Sequence, residues 1–386
     1  MNLLRLVFRN IFRHSLRSFL TILGIGVTIT AFGLLRTLVS AWNTGVEASS
    51  DNRLITRNAV SFIFPLPLTY RNRIATINGV ELVTYANWFQ GVYIDENQFF
   101  PRLAVDAETF LESYPEYLLT TEELETFKKE RNSCIIGSII AERYNLQSGD
   151  IMQVEGNIYP GIYEFVVRGI YQPRDGTTDA TQMFFHWDYL NERLVQDAPT
   201  RANEVGWYIV TIAVPSQSAS VSESIDGLFQ NSSAETKTET EASFQQSFIS
   251  MSGAIIQAIN VISIIIIGII GLVLSNTMAM TARERNQEYA VLKTLGFKSS
   301  FITRLIASET LLISLLGGIF GLAITFLLAD SVQQFIPAGW FPVFEITATT
   351  IGLSALAVVA VAIFASLYPV WYAKTQSIVE GLRQIS

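Results

Sequence analysis

Cysteine is nearly absent from this chain of 386 residues: Cys134 stands alone, so no intramolecular disulfide can form. With only two histidines, His14 and His186, a Cys/His metal site lacks ligands. Charged residues are scarce, 16% of the chain against about 25% in soluble domains. Several motifs are also missing. There is no GxxxxGK[ST] to cradle phosphates, no GxSxG elbow, no HExxH and no CxxC. The many acids are scattered, and no two of them pair as acid and base. These absences predict no catalytic residue, no metal and no cofactor. If the chain does directed work, a partner supplies the energy.

Apolar residues are abundant, 49% of the chain, and they are concentrated in four runs. About 20 apolar residues span a bilayer. No charge occurs from Ala242 to Ala282, and Ile306 to Ala329 carries only Glu309. The remaining charges are sorted. Residues 1–18, 281–304 and the tail from Val370 hold eleven cations and three acids, leaving 15 cations and 31 acids elsewhere. The positive-inside rule therefore places those three segments in the cytoplasm and the acidic bulk outside. An acidic chain of this kind excludes nucleic acid as a partner.

In order along the chain, the expected organisation starts with an amphipathic interfacial helix at 1–15. Leu4, Val7, Phe8, Ile11 and Phe12 share one face, and Arg5, Arg9, Arg13 and Arg17 form a stripe facing anionic headgroups. The first transmembrane helix, 16–40, is lined by small residues including Gly24, and Arg36 snorkels near its outer end. An α+β domain follows at 41–247, with strands at 83–86, 91–94, 151–154, 163–170 and 208–214. Its expected helices are 120–131, 139–144 and 219–229, and Ser232–Ser243 reads as a polar surface connector. The second transmembrane helix, 248–280, continues an outer stalk. The third, 305–329, carries a packing surface at Gly317, Gly318 and Gly321, and Arg304 is the expected partner of Glu309. After a short outer loop, 330–345, the fourth helix, 346–369, ends at Pro369, with a cytoplasmic tail at 370–386.

The cytoplasmic loop, 281–304, reads as a helix with its own ends. Thr281 and Glu284 have capping-box spacing, Glu284 and Glu288 suit the first turns, Lys293 suits the last, and Gly296 stands at the C-terminus. Its exposed charges would face a partner, while Tyr289, Leu292 and Leu295 would pack on the spans. A solvated connector that only fixes topology is the plainer alternative.

The sequence resembles the MacB-type permeases of bacterial ABC transporters, which share the FtsX-like membrane domain. Asn276, Arg285, Glu288, Leu295–Gly296, Glu309, Gly317–Gly318 and Gly321 fall at the family spacing. So do Pro369, Ala373 and Leu382–Arg383 in the tail. In the outer domain Gly137, Ala141, Leu146, Gly149, Asp150 and Gly169 are in register. Tyr289–Ala290 and Ile378 depart from the family pattern. The resemblance implies a membrane protein with four transmembrane α-helices, an N-terminal interfacial helix and a large extracytoplasmic α+β domain between helices 1 and 2. It implies a multi-pass protein of the bacterial inner membrane with both termini cytoplasmic. It also implies a non-catalytic subunit that pairs with a second copy of itself and with a separate cytoplasmic ABC ATPase, since the chain starts at the interfacial helix. A periplasmic adaptor and an outer-membrane channel are further partners of such assemblies. By this resemblance 281–296 is the coupling helix, with Arg283, Glu284, Arg285, Glu288, Tyr289, Leu292, Lys293 and Gly296 meeting the ATPase. The output would be mechanotransmission for export, or alternatively FtsX-like activation of a partner such as a cell-wall hydrolase.

Overall fold

A computed structural model describes all residues except 1–2, 14, 48, 97, 252, 336–343, 345 and 376–386. The chain divides into two compact units. One comprises Met1–Ser40, Gly253–Val332 and Phe344–Ser386; the other comprises Ala41–Ser252 and Gln333–Val343.

Among the described residues, four helices of the first unit are long and apolar enough to cross a membrane. They run Ser15–Glu47, Gly253–Glu284, Ser299–Phe335 and Ala348–Thr375. At about 1.5 Å per residue each exceeds the roughly 30 Å hydrocarbon core. A shorter amphipathic helix, Leu3–Arg13, precedes them. It turns Val7 and Ile11 into the bundle, at 1% and 2% exposure. Small residues set how closely the helices approach. A Cβ added at Gly317 would lie 2.6 Å from the Ile25 Cβ, and one at Gly321 would lie 2.5 Å from the Gly26 carbonyl oxygen. Thr30 Oγ1 reaches across the same seam to the Gly321 carbonyl at 2.9 Å. On its other side the third span meets the fourth, where a Cβ on Gly318 would lie 2.5 Å from Val358. Gly24 sits more loosely, its nearest neighbour being Ile270 at 3.7 Å.

Two features of the bundle differ from expectation. The fourth helix does not stop at Pro369 but runs through it to Thr375, because a buried proline can be accommodated where neighbouring helices pack around the freed carbonyl. Arg36 is half-buried rather than extended toward an interface, and it donates to Asn260 Oδ1 at 2.8 Å. That hydrogen bond partners two polar groups on adjacent spans.

The second unit is built on an eleven-stranded sheet. Ten strands lie side by side in the order Thr236–Thr240, Arg53–Asn58, Trp207–Ile212, Val80–Trp88, Arg102–Val105, Met183–His186, Ser133–Gly137, Gly161–Pro173, Ile151–Gly156 and Gly91–Val92. Tyr117–Leu118 adds to the strand Gly161–Pro173. Neighbours are antiparallel except Met183–His186 beside Arg102–Val105, and Ser133–Gly137 beside Gly161–Pro173. Helices pack on the sheet, giving an α+β domain inserted between the first and second spans. Strands that were expected show clean alternation: Met152 and Val154 are buried while Ile151 is exposed. The helix Thr121–Lys129 starts at a capping box made by Thr120 and Glu123 and buries Phe127. Cys134 and His186 lie inside the sheet at 0% and 3% exposure, while His14 lies outside the described residues. Burial pushes the Cys134 thiol pKa up, so it is an inert core residue.

The polar stretch Ser232–Ser243 is not a surface connector. Thr236–Thr240 is an edge strand paired with Arg53–Asn58. Thr236 and Thr238 turn inward onto Asp226 at 2.9 and 2.7 Å, and Glu239 reaches Arg57 at 2.9 Å. Polar residues alternating with β-branched threonine make a strand as well as apolar ones do when every inward group finds a partner. Glu241, next in line, is a buried carboxylate. It accepts from Arg53 at 2.7 Å, the Ser50 amide at 3.0 Å and Tyr114 at 3.1 Å.

Candidate functional site

The basic segment between the second and third spans carries a dense set of polar contacts among the described residues. Its helix is shorter than expected. The second span runs on to Glu284, and Thr281 lies inside it, with its hydroxyl donating to the Thr277 carbonyl at 3.0 Å. The spacing of Thr281 and Glu284 is therefore no capping box, because Thr281 Oγ1 is turned to the preceding helical turn. The chain bends at Arg285 (φ −99°, ψ 14°), and a short helix follows, Asn286–Thr294. Gly296 ends it at φ 88°. The Gly296 amide bonds the Lys293 carbonyl and the Phe297 amide bonds the Leu292 carbonyl, both at 3.1 Å. This is a Schellman closure, which a glycine at positive φ permits.

Arg285 is the hub. Its Nε donates to Glu288 and its Nη1 to Glu309, both at 2.9 Å. With its amide oxygen turned toward the guanidinium, Asn10 of the interfacial helix accepts from Nη1 and Nη2 at 3.2 and 2.8 Å. Arg285 and Glu309 are 9% and 5% exposed at their side chains. Glu309 therefore pairs with the arginine at the bend and not with the nearer Arg304, which is exposed. On a helix Arg304 and Glu309 are five residues apart and point to different faces.

The arginines of the interfacial helix and first span close the network. Arg13 pairs with Glu288. Arg17 grips Glu284 with two bonds of 2.8 Å. These two arginines were expected at lipid headgroups; the structure gives them carboxylates instead. Glu288 is thus no free surface charge. Desolvation acts against its carboxylate, but hydrogen bonds from Arg13 and Arg285 outweigh it and hold its pKa below the usual carboxylate value. Arg283 donates to the Tyr368 hydroxyl at 3.1 Å and Lys293 to the Ala373 carbonyl at 3.0 Å. Both tie the segment to the end of the fourth span.

Of the apolar residues expected on the spans, Tyr289 is buried at 4% exposure and Leu292 packs on the bundle core. Leu295 does not join them. It is 70% exposed, near exposed Val291 and Phe297, because the Schellman turn swings the chain away from the helix axis. Sequence reading missed Asn10 altogether. It also missed the direction of Arg13 and Arg17, although four arginines spaced by four did mark the stripe.

A model for the MacB-like periplasmic core domain matches residues 18–228, and one for the FtsX-like permease C-terminal domain matches residues 260–378. The chain belongs to the MacB/FtsX family of ABC transporter permeases. An uncharacterized ABC transporter permease of Methanocaldococcus jannaschii is 22% identical over 354 residues, covering 86% of this permease and 84% of the relative. Two solved structures are similar to this chain over about half its length. The extracellular domain of the noncanonic ABC-type transporter YknZ from Gram-positive bacteria has a TM-score of 0.37 at 13% identity, covering 49% of this chain and 99% of that one. A domain of a permease protein from Porphyromonas gingivalis has a TM-score of 0.35 at 13% identity, covering 49% of this chain and 90% of that one. The family makes this permease a multi-pass membrane subunit whose partner is a cytoplasmic ATPase.

Proposed function

We propose that this permease relays motion from its ATPase to the outer domain, and that the segment Arg283–Phe297 is the input. The observation that carries the reading is how that segment divides its side chains. Glu284, Arg285 and Glu288 bind the interfacial helix and the first and third spans. Arg283 and Lys293 bind the fourth. Val291, Leu295 and Phe297 remain exposed, at 47%, 70% and 39%. A segment held to every neighbouring helix moves them together when it is pushed, and exposed apolar side chains are what a protein partner buries. The ATPase contact is therefore apolar, with Leu295 central, and the charges make the segment rigid. The segment lies in the cytoplasm, both termini with it, in the inner membrane. Two copies of the permease work together, with a periplasmic adaptor and an outer-membrane channel as further partners. The MacB-like core favours export over FtsX-like activation of a hydrolase, and a transport assay in vesicles separates the two.

The test is Leu295→Asp. This side chain is 70% exposed among the described residues, so the variant should insert and fold normally. Co-purification with the ATPase should drop by about tenfold or more, the effect of losing a central apolar anchor. Unchanged association would reject the docking surface. Glu288→Lys is the poorer probe, since it breaks the bonds to Arg13 and Arg285 whether or not an ATPase binds there.

A further inference from the structure

Among the described residues two arginines of the outer domain are buried, and their surroundings differ. Arg53 pairs with Glu116 and Glu241, each at 2.7 Å. Arg102, only 1% exposed, meets no carboxylate among the described residues. It starts the strand Arg102–Val105, and its Nη1 donates to the Gly91 and Phe100 carbonyls at 2.7 and 3.2 Å. Its guanidinium carbon lies 3.7 Å from the centre of the Phe100 ring. Carbonyl dipoles and a ring face attract a cation but do not neutralise it. Burial therefore pulls the Arg102 pKa down to about 10, and the group is still charged at neutral pH.

Two donors in this neighbourhood are unsatisfied. The Arg102 Nε–H is buried without a hydrogen-bond partner, and so is the Tyr144 hydroxyl. Tyr144 ends the helix Ser138–Tyr144 and packs on the same Phe100 ring, with ring centres 6.0 Å apart. Burial raises the Tyr144 pKa, and the charges of Arg102 and Arg143 oppose that rise more strongly than Tyr93 and Asp95 add to it. Both guanidinium groups thus make the surroundings of this hydroxyl positive. Arg143 also meets no carboxylate among the described residues; it donates to the Gln98 amide oxygen at 2.9 Å. Buried polar groups nearly always find a partner, and a buried charge left uncompensated is costlier than a neutral group. In a domain rich in acids, a buried arginine that none of them reaches, beside two orphaned donors, points to an anion from outside the chain.

We propose that a small inorganic anion of halide size binds at Arg102 and Tyr144, with the Arg102 Nε–H and the Tyr144 O–H as its donors. A buried water could partner the same donors, but it would leave the guanidinium charge uncompensated. The size follows from burial. Both donor atoms are shut off from solvent, and a monatomic ion asks for less room there than sulfate or an organic acid. An occupied site ties the start of the strand Arg102–Val105 to the end of the helix Ser138–Tyr144. It goes beyond the relay reading, and its test needs no ATPase.

The probe is sodium chloride, exchanged against sodium gluconate at constant ionic strength, on the full-length permease in nanodiscs of zwitterionic lipid. Amide exchange at 98–105 and 139–146 should slow saturably as chloride replaces gluconate. Bromide should act likewise, and sulfate should not. Arg102→Met should abolish the response. Tyr144→Phe removes an oxygen that has no partner, so this variant should fold normally even if Arg102→Met does not. Its chloride midpoint should rise about tenfold, the worth of one hydrogen bond to a charged group. Arg131→Gln, an exposed arginine paired with Glu192, should keep the midpoint of the unaltered chain. Equal exchange in chloride and gluconate would leave water as the partner and overturn the site. So would an unshifted midpoint in Tyr144→Phe, an equal shift in Arg131→Gln, or equal protection by sulfate.

Discussion

At the scale of single residues, Arg285 decides more than any other side chain in the membrane unit. Its position at the helix bend lets one guanidinium meet Asn10, Glu288 and Glu309. Arg285→Met strands the Glu309 carboxylate in the bundle. Removing one partner of a buried pair costs about 3–5 kcal/mol, so the detergent-solubilised permease should unfold at a clearly lower temperature. The double variant Arg285→Met, Glu309→Leu should recover much of that loss, and a double variant no better than the single one would show that the pair is not what holds the bend. By contrast, the Arg13–Glu288 bridge is 60% and 40% exposed, and Arg13→Ala should cost no more than about 1 kcal/mol. In the outer domain, His186 gives a pH test. Burial holds its pKa below the ordinary 6.5, although its bond to the Phe127 carbonyl opposes the shift. The unfolded chain takes up a proton at about 6.5 that the folded chain refuses, so stability is full above that pH and falls as pH drops toward the lower folded value. His186→Gln keeps a donor for the carbonyl and should flatten the dependence of melting temperature on pH as the pH falls below 6.5; an unchanged slope would assign the acid sensitivity elsewhere.

At the scale of elements, the glycines of the third span are not equivalent to Gly24 in the first. Ala at Gly321 would press against the Gly26 carbonyl at 2.5 Å, and backbone cannot step aside as a side chain can. Gly321→Ala should destabilise the bundle by about 1–3 kcal/mol, the usual cost of overpacking. Gly24→Ala meets only Ile270 at 3.7 Å, and the gain in helix propensity should leave it neutral or slightly stabilising. Unfolding of the two variants side by side in one detergent checks the contrast. These elements also show where pattern reading succeeds. The helix at Thr121–Lys129 and the strand at Ile151–Gly156 carry their caps and alternation in local sequence. Thr236–Thr240 carried alternation too, but its inward residues are threonines, and it takes Asp226 and Thr56 to make them a buried face. The Thr281 cap failed for the reverse reason. Its spacing was right, but an apolar helix already occupied the position and continued through it.

At the scale of the whole molecule, the distribution of cations predicts which side each unit faces. Cysteines introduced at Ser138 or Ser216 should react with a membrane-impermeant reagent in intact cells, and one at Ser299 should not. Ser216 and Ser299 are both exposed, so a difference between them reports topology and not burial. The reverse pattern would invert the orientation and remove the segment Arg283–Phe297 from the ATPase.

Composition and charge order, read from the sequence alone, determined the class of this permease. Runs of about 20 apolar residues can only be satisfied by spanning helices, a sorted excess of cations orients them, and the spacing of Glu288, Gly296, Glu309 and Gly317 carried the family resemblance. Glycine at 296 also announced the helix end, because positive φ is a local demand. Partners were another matter. Glu309 looked toward Arg304 in sequence and found Arg285; Arg13 and Arg17 looked toward lipid and found Glu288 and Glu284. Leu295 looked inward and points out. A charge records only that it needs a counter-charge. Which one it meets depends on how helices distant in sequence pack, and that is settled by the close fit of Gly317, Gly318 and Gly321 and by the bend at Arg285.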